Sequence, residues 1–247
     1  MDSDCWRELF SGMAAQWSSF APARVELSSE QFREDFTRVR ADYLRLVEQG
    51  KWNSGPRDLM TVLGATDDEL SHSRVVAWLL QPTGRHGLGF SVLHRILQTG
   101  WPQLPMLDLA TAVVAREVPR PPDTGVTRAD VVVWVGPTVL VIENKVWAPE
   151  SSGQCQALYR EWIDEAADVR FLLLSRDGHP PLTAISDDAR SAWRAMSYRH
   201  LAGLLQELTH RSVSGDTAQR AVGQYQAALR HLVGAHDAFA ITVRDKR

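Results

Sequence analysis

Two carboxylates and a lysine lie at the ends of two short, very apolar segments of this chain. Asp130 comes immediately before Val131–Val135, while Glu143 and Lys145 end the run that begins at Val139. Charged groups at the edge of such runs are costly to bury unless they are paired or hold a metal ion. Two carboxylates can share Mg²⁺ or Mn²⁺, which activates water and draws charge from a phosphate, while an ammonium group stabilises the developing negative charge. These residue types suit metal-dependent hydrolysis of a phosphodiester.

The spacing of the three residues predicts how they meet. The two apolar segments are typical of the strands of a hairpin, and counting back from a turn at Gly136-Pro137 places Asp130 opposite Glu143. Because successive side chains of a strand point to opposite faces, Glu143 and Lys145 share one face and Asn144 points away. The alternative is an ordinary hairpin whose charged ends lie in solvent, and the spacing alone leaves both interpretations open.

Composition narrows the class of protein. The chain has 247 residues, 44% of them hydrophobic and 23% charged, as expected for one large globular domain with or without a helical extension. No apolar run approaches the roughly 20 residues that a membrane-spanning helix needs, and the acidic start Met1–Asp4 lacks the basic region of a signal peptide. Cys5 and Cys155 are too few for a disulfide framework or a four-thiolate zinc site. We therefore expect a cytoplasmic protein without zinc.

The net charge of -3 argues against a protein that coats DNA non-specifically, because such binding needs clustered lysines and arginines. It does not exclude an enzyme that cuts nucleic acid, since acidic metal ligands lower the net charge and a local basic rim suffices. Arginines near the expected site are candidates for that rim, namely Arg74, Arg85, Arg116, Arg120 and Arg128. Most of the nine tryptophans are expected in the core, but Trp147 is a candidate for stacking on a base.

The order of predicted elements is helix, three strands, helix, strand and then helices. A helix is predicted over residues 28–49, where Ser28 and Gln31 form a capping-box pattern. Residues 1–56 would be a helical N-terminal extension and residues 57–247 the main domain with a helical C-terminal cover. Further helices are predicted at about 58–63, 66–80, 90–99, 151–167, 187–195, 198–210 and 217–233, and further strands at about 112–118 and 171–175.

Two helices carry more detailed expectations. Thr66 and Glu69 form a second capping-box pattern. The apolar residues that recur at helical spacing after them are predicted to form one buried stripe, which comprises Leu70, Val76, Ala77 and Leu80. The last helix is predicted to be capped by Asp216.

Near the N-terminus, four apolar residues recur at near-helical spacing, and they predict either core or a dimer contact. They are Trp6, Phe10, Met13 and Trp17.

An aspartate on one strand and Glu-x-Lys on the next, in this order of elements, resembles the PD-(D/E)XK nuclease superfamily. The similarity is to the family 4-like branch with an Ile-Glu-Asn-Lys motif. It rests on Glu69–Ser73 with Ala77–Leu80, Pro82–Gly89, Arg128–Asp130, Ile142–Lys145 followed by Glu150 and Gln154, and the continuations Leu173–Gly178 and Met196–Tyr198. It covers roughly residues 57–232. The resemblance implies an α/β, restriction-endonuclease-like core (αβββαβ), with a mixed central sheet flanked by helices.

The resemblance also implies roles for individual residues. Asp130 and Glu143 would be metal ligands, the carbonyl oxygen of Ile142 would complete the shell, and Lys145 would stabilise the transition state or position the attacking water. Glu69 corresponds to a helical acid that faces the metal in related nucleases.

Gln154 corresponds to a glutamine that contacts the site or the phosphate backbone. The pattern normally has a tyrosine four residues after this glutamine, but position 158 is Leu and the tyrosine is Tyr159. Gln156 is the alternative aligned residue, again with different spacing, and this leaves the role of Tyr159 open.

Several of these residues have a plainer interpretation. Glu69 could serve only as the capping partner of Thr66, and Gln154 could lie on a solvated helix face. His72 could reach the site or act as a structural hydrogen bonder, and His86 could contact phosphate or brace its loop.

We expect a Mg²⁺- or Mn²⁺-dependent endonuclease-like phosphodiester hydrolase that acts on nucleic acid, DNA in preference to RNA, with genome defence or repair as the setting. No membrane partner is expected, and a homodimer would let two sites cut both strands of a duplex. Two alternatives stay open: a non-cleaving nucleic-acid-binding or assembly module of the same fold, and a subunit that is active only within a larger complex.

Overall fold

The computed structural model describes residues 28–52, 55–120, 127–211 and 217–244, and the chain divides into two compact units, residues 1–55 and 56–247. The expectations for Cys5, for the four apolar residues near the N-terminus and for the cap at Asp216 lie outside the described residues. In the first unit, helix α1 spans Ser29–Glu48. The predicted capping box is confirmed, since Ser28 Oγ accepts from the Gln31 amide at 3.1 Å and the Gln31 side chain accepts from the Ser28 amide at 3.3 Å.

The second unit is built on a five-stranded mixed sheet. Its strands are β1 (Val113–Arg120), β2 (Thr127–Val135), β3 (Thr138–Lys145), β4 (Asp168–Ser175) and β5 (Trp193–Ser197), in the order β1-β2-β3-β4-β5. Strand β2 is antiparallel to both β1 and β3, whereas β3, β4 and β5 run parallel to one another. With helices on both faces, this is the α/β, restriction-endonuclease-like architecture that was predicted.

The predicted hairpin register is confirmed. Val135 pairs with Thr138 across the turn, where Gly136 takes the positive φ of 55° that favours glycine. The pairing continues to Val131 opposite Ile142, one residue before Asp130 and Glu143. Both strands are buried on both faces, so their apolar side chains anchor them at the centre of the sheet.

Helices cover the two faces of the sheet. The helices are α2 (Leu59–Val62), α3 (Glu69–Leu80), α4 (Ser91–Gly100), α5 (Gln154–Trp162), α6 (Asp187–Ala192), α7 (Tyr198–Arg211) and α8 (Thr217–Arg244). One core lies on the face of Leu140 and Ile142, against α3, α4, α7 and α8. The other lies on the face of Val139 and Val141, against α5. In the described ranges, no helix is both long and apolar enough to cross a membrane.

The structure corrects three details of the prediction. Strand β5 falls partly within a predicted helix, because its five residues carry no alternating apolar pattern and are held as a strand by pairing with β4. Helix α5 begins later than predicted because Gly153 takes a φ of 67° immediately before it, and it ends at Trp162. Leu70, predicted to be buried, is 37% exposed, whereas Val76, Ala77 and Leu80 are buried as expected.

Candidate active site

The fold brings the predicted site residues to one cleft. Asp130 lies on β2, Glu143 and Lys145 end β3, Glu69 is the first residue of α3 and Gln154 the first residue of α5. All five line an open cleft of about 500 Å³. Five side chains from two strands and two helices thus converge where the central strands end.

Glu143 is buried in an unusual way. Its side chain is 1% exposed, and its Oε1 accepts from Gln154 Nε2 at 2.6 Å and lies 2.9 Å from Lys145 Nζ. Its Oε2 is also buried but has no hydrogen-bond partner among the described residues. Burial raises the pKa of Glu143 to about 8, the charge of Asp130 adds to the rise, and Lys145 opposes it. A buried carboxylate oxygen without a partner is a position where a bound cation would be stabilising.

Asp130 lines the same cleft, on the strand that pairs with the strand of Glu143. Its Oδ2 accepts from the Asn144 amide at 2.7 Å, so the carboxylate bonds to the neighbouring strand just beyond the last residue pair. Burial raises the pKa of Asp130 to about 6, while the Asn144 amide and Lys145 lower it. Since the charge of Asp130 also raises the pKa of Glu143, a divalent cation bound by both carboxylates would be stabilising.

Lys145 places a mostly buried positive charge in the cleft. Its side chain is 11% exposed, and Nζ lies 3.9 Å from Glu69 Oε2 in addition to its contact with Glu143. Burial alone would lower the pKa of Lys145, but the surrounding carboxylates, Glu143 first, outweigh burial and the pKa is raised. The lysine is thus held as an ammonium group.

Glu69 does not form the predicted capping box with Thr66. Asp68 caps α3 instead, by accepting from the Ser71 amide at 3.0 Å. Glu69 Oε1 accepts from the amides of Val146 and Ala148 at 2.9 and 3.2 Å, which joins the start of α3 to the chain leaving β3. The capping pattern failed because a nearer acceptor took the role, and Glu69 is free to face Lys145.

Sequence reasoning missed the part played by Asn144. It points away from the cleft, as predicted, and is 1% exposed. Its Nδ2 donates to the Glu69 carbonyl at 2.9 Å and to Ser73 Oγ at 3.0 Å, and its Oδ1 accepts from Tyr198 OH at 2.6 Å. Asn144 thereby fixes α3 and α7 against β3. Its place between Glu143 and Lys145 was a signal, but its partners are remote in sequence.

The two histidines have structural partners. His72 is fully buried between Tyr225 OH, 3.0 Å away, and the Thr66 carbonyl, 2.8 Å away, and burial lowers its pKa. His86 is also fully buried and braces its loop, with Nε2 3.0 Å from the Gln81 carbonyl and Nδ1 accepting from the Leu88 amide at 3.1 Å. These contacts favour the structural interpretation of both residues.

The two candidate glutamines differ in their contacts. Gln154 reaches Glu143, whereas Gln156 Oε1 accepts from the amides of Ile185 and Ser186 at 2.9 and 2.8 Å. Tyr159 packs on Phe171 with ring centroids 5.6 Å apart. Gln154 is therefore the glutamine of the cleft, and Tyr159 belongs to the core under α5.

The expected basic rim is only partly present. Arg128 lines the cleft, but its Nε lies 2.8 Å from Glu117 Oε2. Arg120 pairs with Glu165 at 2.6 Å and packs on Trp162. Glu117 itself was not predicted: it has a φ of 54°, rare for a residue with a side chain, and its charge contributes to the raised pKa of Asp130. Nothing local in the sequence signals that backbone conformation.

The residues of the cleft fit a divalent cation. Carboxylate oxygens are the ligands that Mg²⁺ and Mn²⁺ prefer. Asp130 and Glu143 line the same cleft, and Glu143 Oε2 has no hydrogen-bond partner among the described residues. In the parts of the chain that the structure describes, no three His, Cys, Asp or Glu side chains are arranged to hold an ion by themselves. Mg²⁺ is commonly bound by one or two carboxylates with water and substrate oxygens completing its shell, which agrees with this arrangement.

Asp130, Glu143 and Lys145 thus come together where β3 ends, on a mixed sheet of restriction-endonuclease-like architecture. A family model described as the PD-(D/E)XK nuclease superfamily matches residues 57–226, and the chain belongs to that superfamily. Its members are generally nucleases that use divalent metals. Comparison with curated proteins and with solved structures gives no match.

Proposed function

We propose that this protein is a Mg²⁺- or Mn²⁺-dependent endonuclease that acts on DNA in preference to RNA. The observation that carries the proposal is the buried carboxylate of Glu143. One of its oxygens has no hydrogen-bond partner among the described residues, and it shares an open cleft with Asp130 and a charged Lys145. Burying these ionisable groups together destabilises the folded protein when no cation is bound. Such arrangements are concentrated at functional sites.

Each residue has a distinct task in this proposal. Asp130 and Glu143 would hold the cation, Glu143 through Oε2, with Glu69 facing the same cleft and the Ile142 carbonyl as the further predicted ligand. A divalent cation bound there supplies Lewis acidity toward the phosphodiester and lowers the pKa of a bound water. The Lys145 ammonium group stabilises the negative charge that develops on the phosphate. Gln154 holds Glu143 in place by its 2.6 Å hydrogen bond.

Metal-dependent cleavage tests the proposal directly. Single- and double-stranded DNA and RNA are incubated with the wild-type protein and Mg²⁺ or Mn²⁺, beside Lys145→Ala and Asp130→Asn. Cleavage that needs the metal and falls by roughly 10² or more in both variants is expected. Hydrolysis by either variant at the wild-type rate would refute the assignment of the site. The type of nucleic acid that is cleaved identifies the substrate class.

The retained Asp, Glu and Lys favour an enzyme over a non-cleaving binding module, since a binding module has no use for the buried carboxylate pair. Mn²⁺ titration separates these functions, because a binding module would take up Mn²⁺ no better than its Asp130→Ala variant. A wild-type protein that binds Mn²⁺ but cleaves nothing until a co-purifying partner is added would indicate a subunit of a larger complex. Genome defence or repair is the setting we propose for the enzyme.

A further inference from the structure

A second cleft adjoins the candidate active site. It has a volume of about 240 Å³, and Lys145 lines both clefts. Its other walls come from the chain that leaves β3 and the chain that leaves β4, two parallel strands whose last residues, Lys145 and Ser175, are paired. Ligands in α/β sheets typically bind beyond the carboxyl ends of parallel strands. We refer to this second cleft as the Trp147 cleft.

Trp147 is held in place yet accessible. Its Nε1 donates to Asp67 Oδ1 at 2.5 Å, and the Arg176 guanidinium lies 3.7 Å from the ring centroid. Half of the residue is still exposed, at 50%. An indole fixed at the surface by two contacts offers a rigid stacking surface that costs little conformational entropy to use.

Two nitrogens of the Arg176 guanidinium have no acceptor in the part of the chain that the structure describes. Its Nε and Nη1 are buried without a hydrogen-bond partner within the described residues. The nearby carboxylates already accept from other donors. Glu150 accepts from the amides of Leu182 and Thr183. Asp177 accepts from Ser175 Oγ and from the His179 amide, both at 3.3 Å. Buried donors without acceptors are unfavourable, and a phosphate is the acceptor that best matches a guanidinium group.

We infer that the Trp147 cleft binds the nucleotide next to the scissile phosphodiester, with Arg176 contacting its phosphate and Trp147 stacking on its base. The inference rests on the proposed nuclease function, because a strand hydrolysed beside Lys145 has to continue past it. The Trp147 cleft combines a cation with an exposed aromatic ring, as single-stranded nucleic-acid sites do. Stacking on Trp147 requires an unstacked base, so the substrate is single-stranded or locally unpaired at this position.

Binding without cleavage tests this inference. The full chain is titrated, in EDTA, into a fluorescein-labelled single strand of about 15 nucleotides, and fluorescence anisotropy is followed over a range of salt concentrations. Arg176→Gln is expected to weaken binding roughly tenfold and to reduce the slope of log K against log salt by about one, because one phosphate contact is lost. Trp147→Leu is expected to weaken binding by a similar factor of about ten with an unchanged slope.

Three matched variants sharpen the test. Arg176→Lys keeps the charge, so the salt slope should stay while affinity falls; Trp147→Phe keeps a ring and should retain most of the affinity. Arg230→Gln removes an exposed arginine of α8 that lines neither cleft, and should change nothing. In Mg²⁺, the Arg176 and Trp147 variants should raise KM about tenfold and leave kcat nearly unchanged.

The outcomes separate the two proposals. A wild-type protein that binds and cleaves, with unchanged affinity in folded Arg176→Gln and Trp147→Leu, would overturn the inference and leave the proposed function intact. An equal loss in Arg230→Gln would also overturn it, since that result indicates general charge attraction. A wild-type protein that neither binds nor cleaves any nucleic acid would overturn both. Circular dichroism confirms that each variant is folded.

Discussion

Two buried glutamates, seven residues apart, show how differently one side chain type can be used in this molecule. The side chains of Glu143 and Glu150 are 1% and 2% exposed. Glu150 accepts from the Leu182 amide at 2.8 Å, from the Thr183 amide at 2.9 Å and hydroxyl at 2.5 Å, and from Cys155 Sγ at 3.2 Å. Although burial opposes it, these donors lower the pKa of Glu150.

Glu143 has the opposite balance. One of its oxygens is shared by Gln154 and Lys145, the other has no partner among the described residues, and burial raises its pKa to about 8. Complete satisfaction indicates a carboxylate that holds a loop in place, whereas an unsatisfied oxygen indicates one kept for a ligand. The two glutamate side chains are similarly buried but have different roles. Variants that replace each carboxylate by an amide can separate these roles.

The largest expected difference concerns activity. Glu143→Gln removes the proposed cation ligand, whose contribution would be several kcal/mol, so cleavage in Mg²⁺ should fall by a factor on the order of 10³. Its thermal unfolding without metal should stay close to wild type near neutral pH, because the amide resembles the protonated carboxyl that the raised pKa favours. Calorimetry and a cleavage assay on the same preparation measure both effects.

Glu150→Gln is the matched control with the reverse expectation. Its amide nitrogen would face backbone N–H donors that now bond to a carboxylate, so we expect a loss of roughly 2–4 kcal/mol in the free energy of unfolding. Activity below its unfolding temperature should remain near wild type. Equal loss of activity in both variants, at a temperature where both are folded, would break the distinction between the two glutamates.

The pH dependence of stability gives a second, smaller contrast. The pKa values of Asp130 and Glu143, raised to about 6 and 8, mean that the metal-free folded state binds more protons than the unfolded state at intermediate pH. Their contribution is fully present below the unfolded pKa values near 4 and is lost as pH rises through about 6 and then 8. Its total is on the order of a few kcal/mol.

Urea unfolding in EDTA between pH 4 and 9 would measure this contribution. Across this range, the free energy of unfolding of the double variant Asp130→Asn/Glu143→Gln should depend less on pH than that of the wild type. Glu150 has the opposite sign: its lowered pKa gives stability that is present above the unfolded pKa and lost as pH falls through the folded value. Identical profiles for wild type and the double variant would show that the carboxyl pair is not held out of its ordinary ionisation range.

The strands of the site were predictable because their signals are local. Two apolar runs and a Gly-Pro turn fix the β2–β3 hairpin, and side-chain alternation then places Glu143 and Lys145 together and Asn144 apart. Strand β5 was not predictable in this way, since Trp193–Ser197 becomes a strand only through its partner β4. The same holds for Glu69, whose carboxylate accepts from amides 77 and 79 residues further on.

The difference in hydrogen bonding between Glu143 and Glu150 could not be predicted from the sequence either. Both belong to segments that resemble the superfamily pattern, and the sequence gives no local sign that Glu150 is satisfied by Leu182 and Thr183, about 30 residues away. Hydrogen-bond satisfaction is a property of the folded chain, because donors reach a buried carboxylate from several elements. Residue type and spacing therefore predict where a carboxylate lies better than what it does.

The smallest expected effect comes from a second matched pair, Gln154 and Gln156. Gln154 Oε1 accepts from the Ser151 amide at 3.0 Å, which directs Nε2 of the same side chain toward Glu143. Residues that orient a metal ligand typically contribute about 10- to 100-fold to activity. Gln154→Ala should therefore lower kcat/KM by roughly tenfold and raise the Mg²⁺ concentration needed for half-maximal activity, with little change in unfolding temperature.

Gln156→Ala should do the reverse, because it leaves the amides of Ile185 and Ser186 without their acceptor inside the fold. A loss of about 1–3 kcal/mol in stability is expected, with the Mg²⁺ requirement unchanged. The Mg²⁺ requirement is the decisive measurement, since a general loosening of α5 would affect the two variants alike. If Gln156→Ala shifted it as much as Gln154→Ala, the hydrogen bond to Glu143 would not be what holds the metal ligand in place.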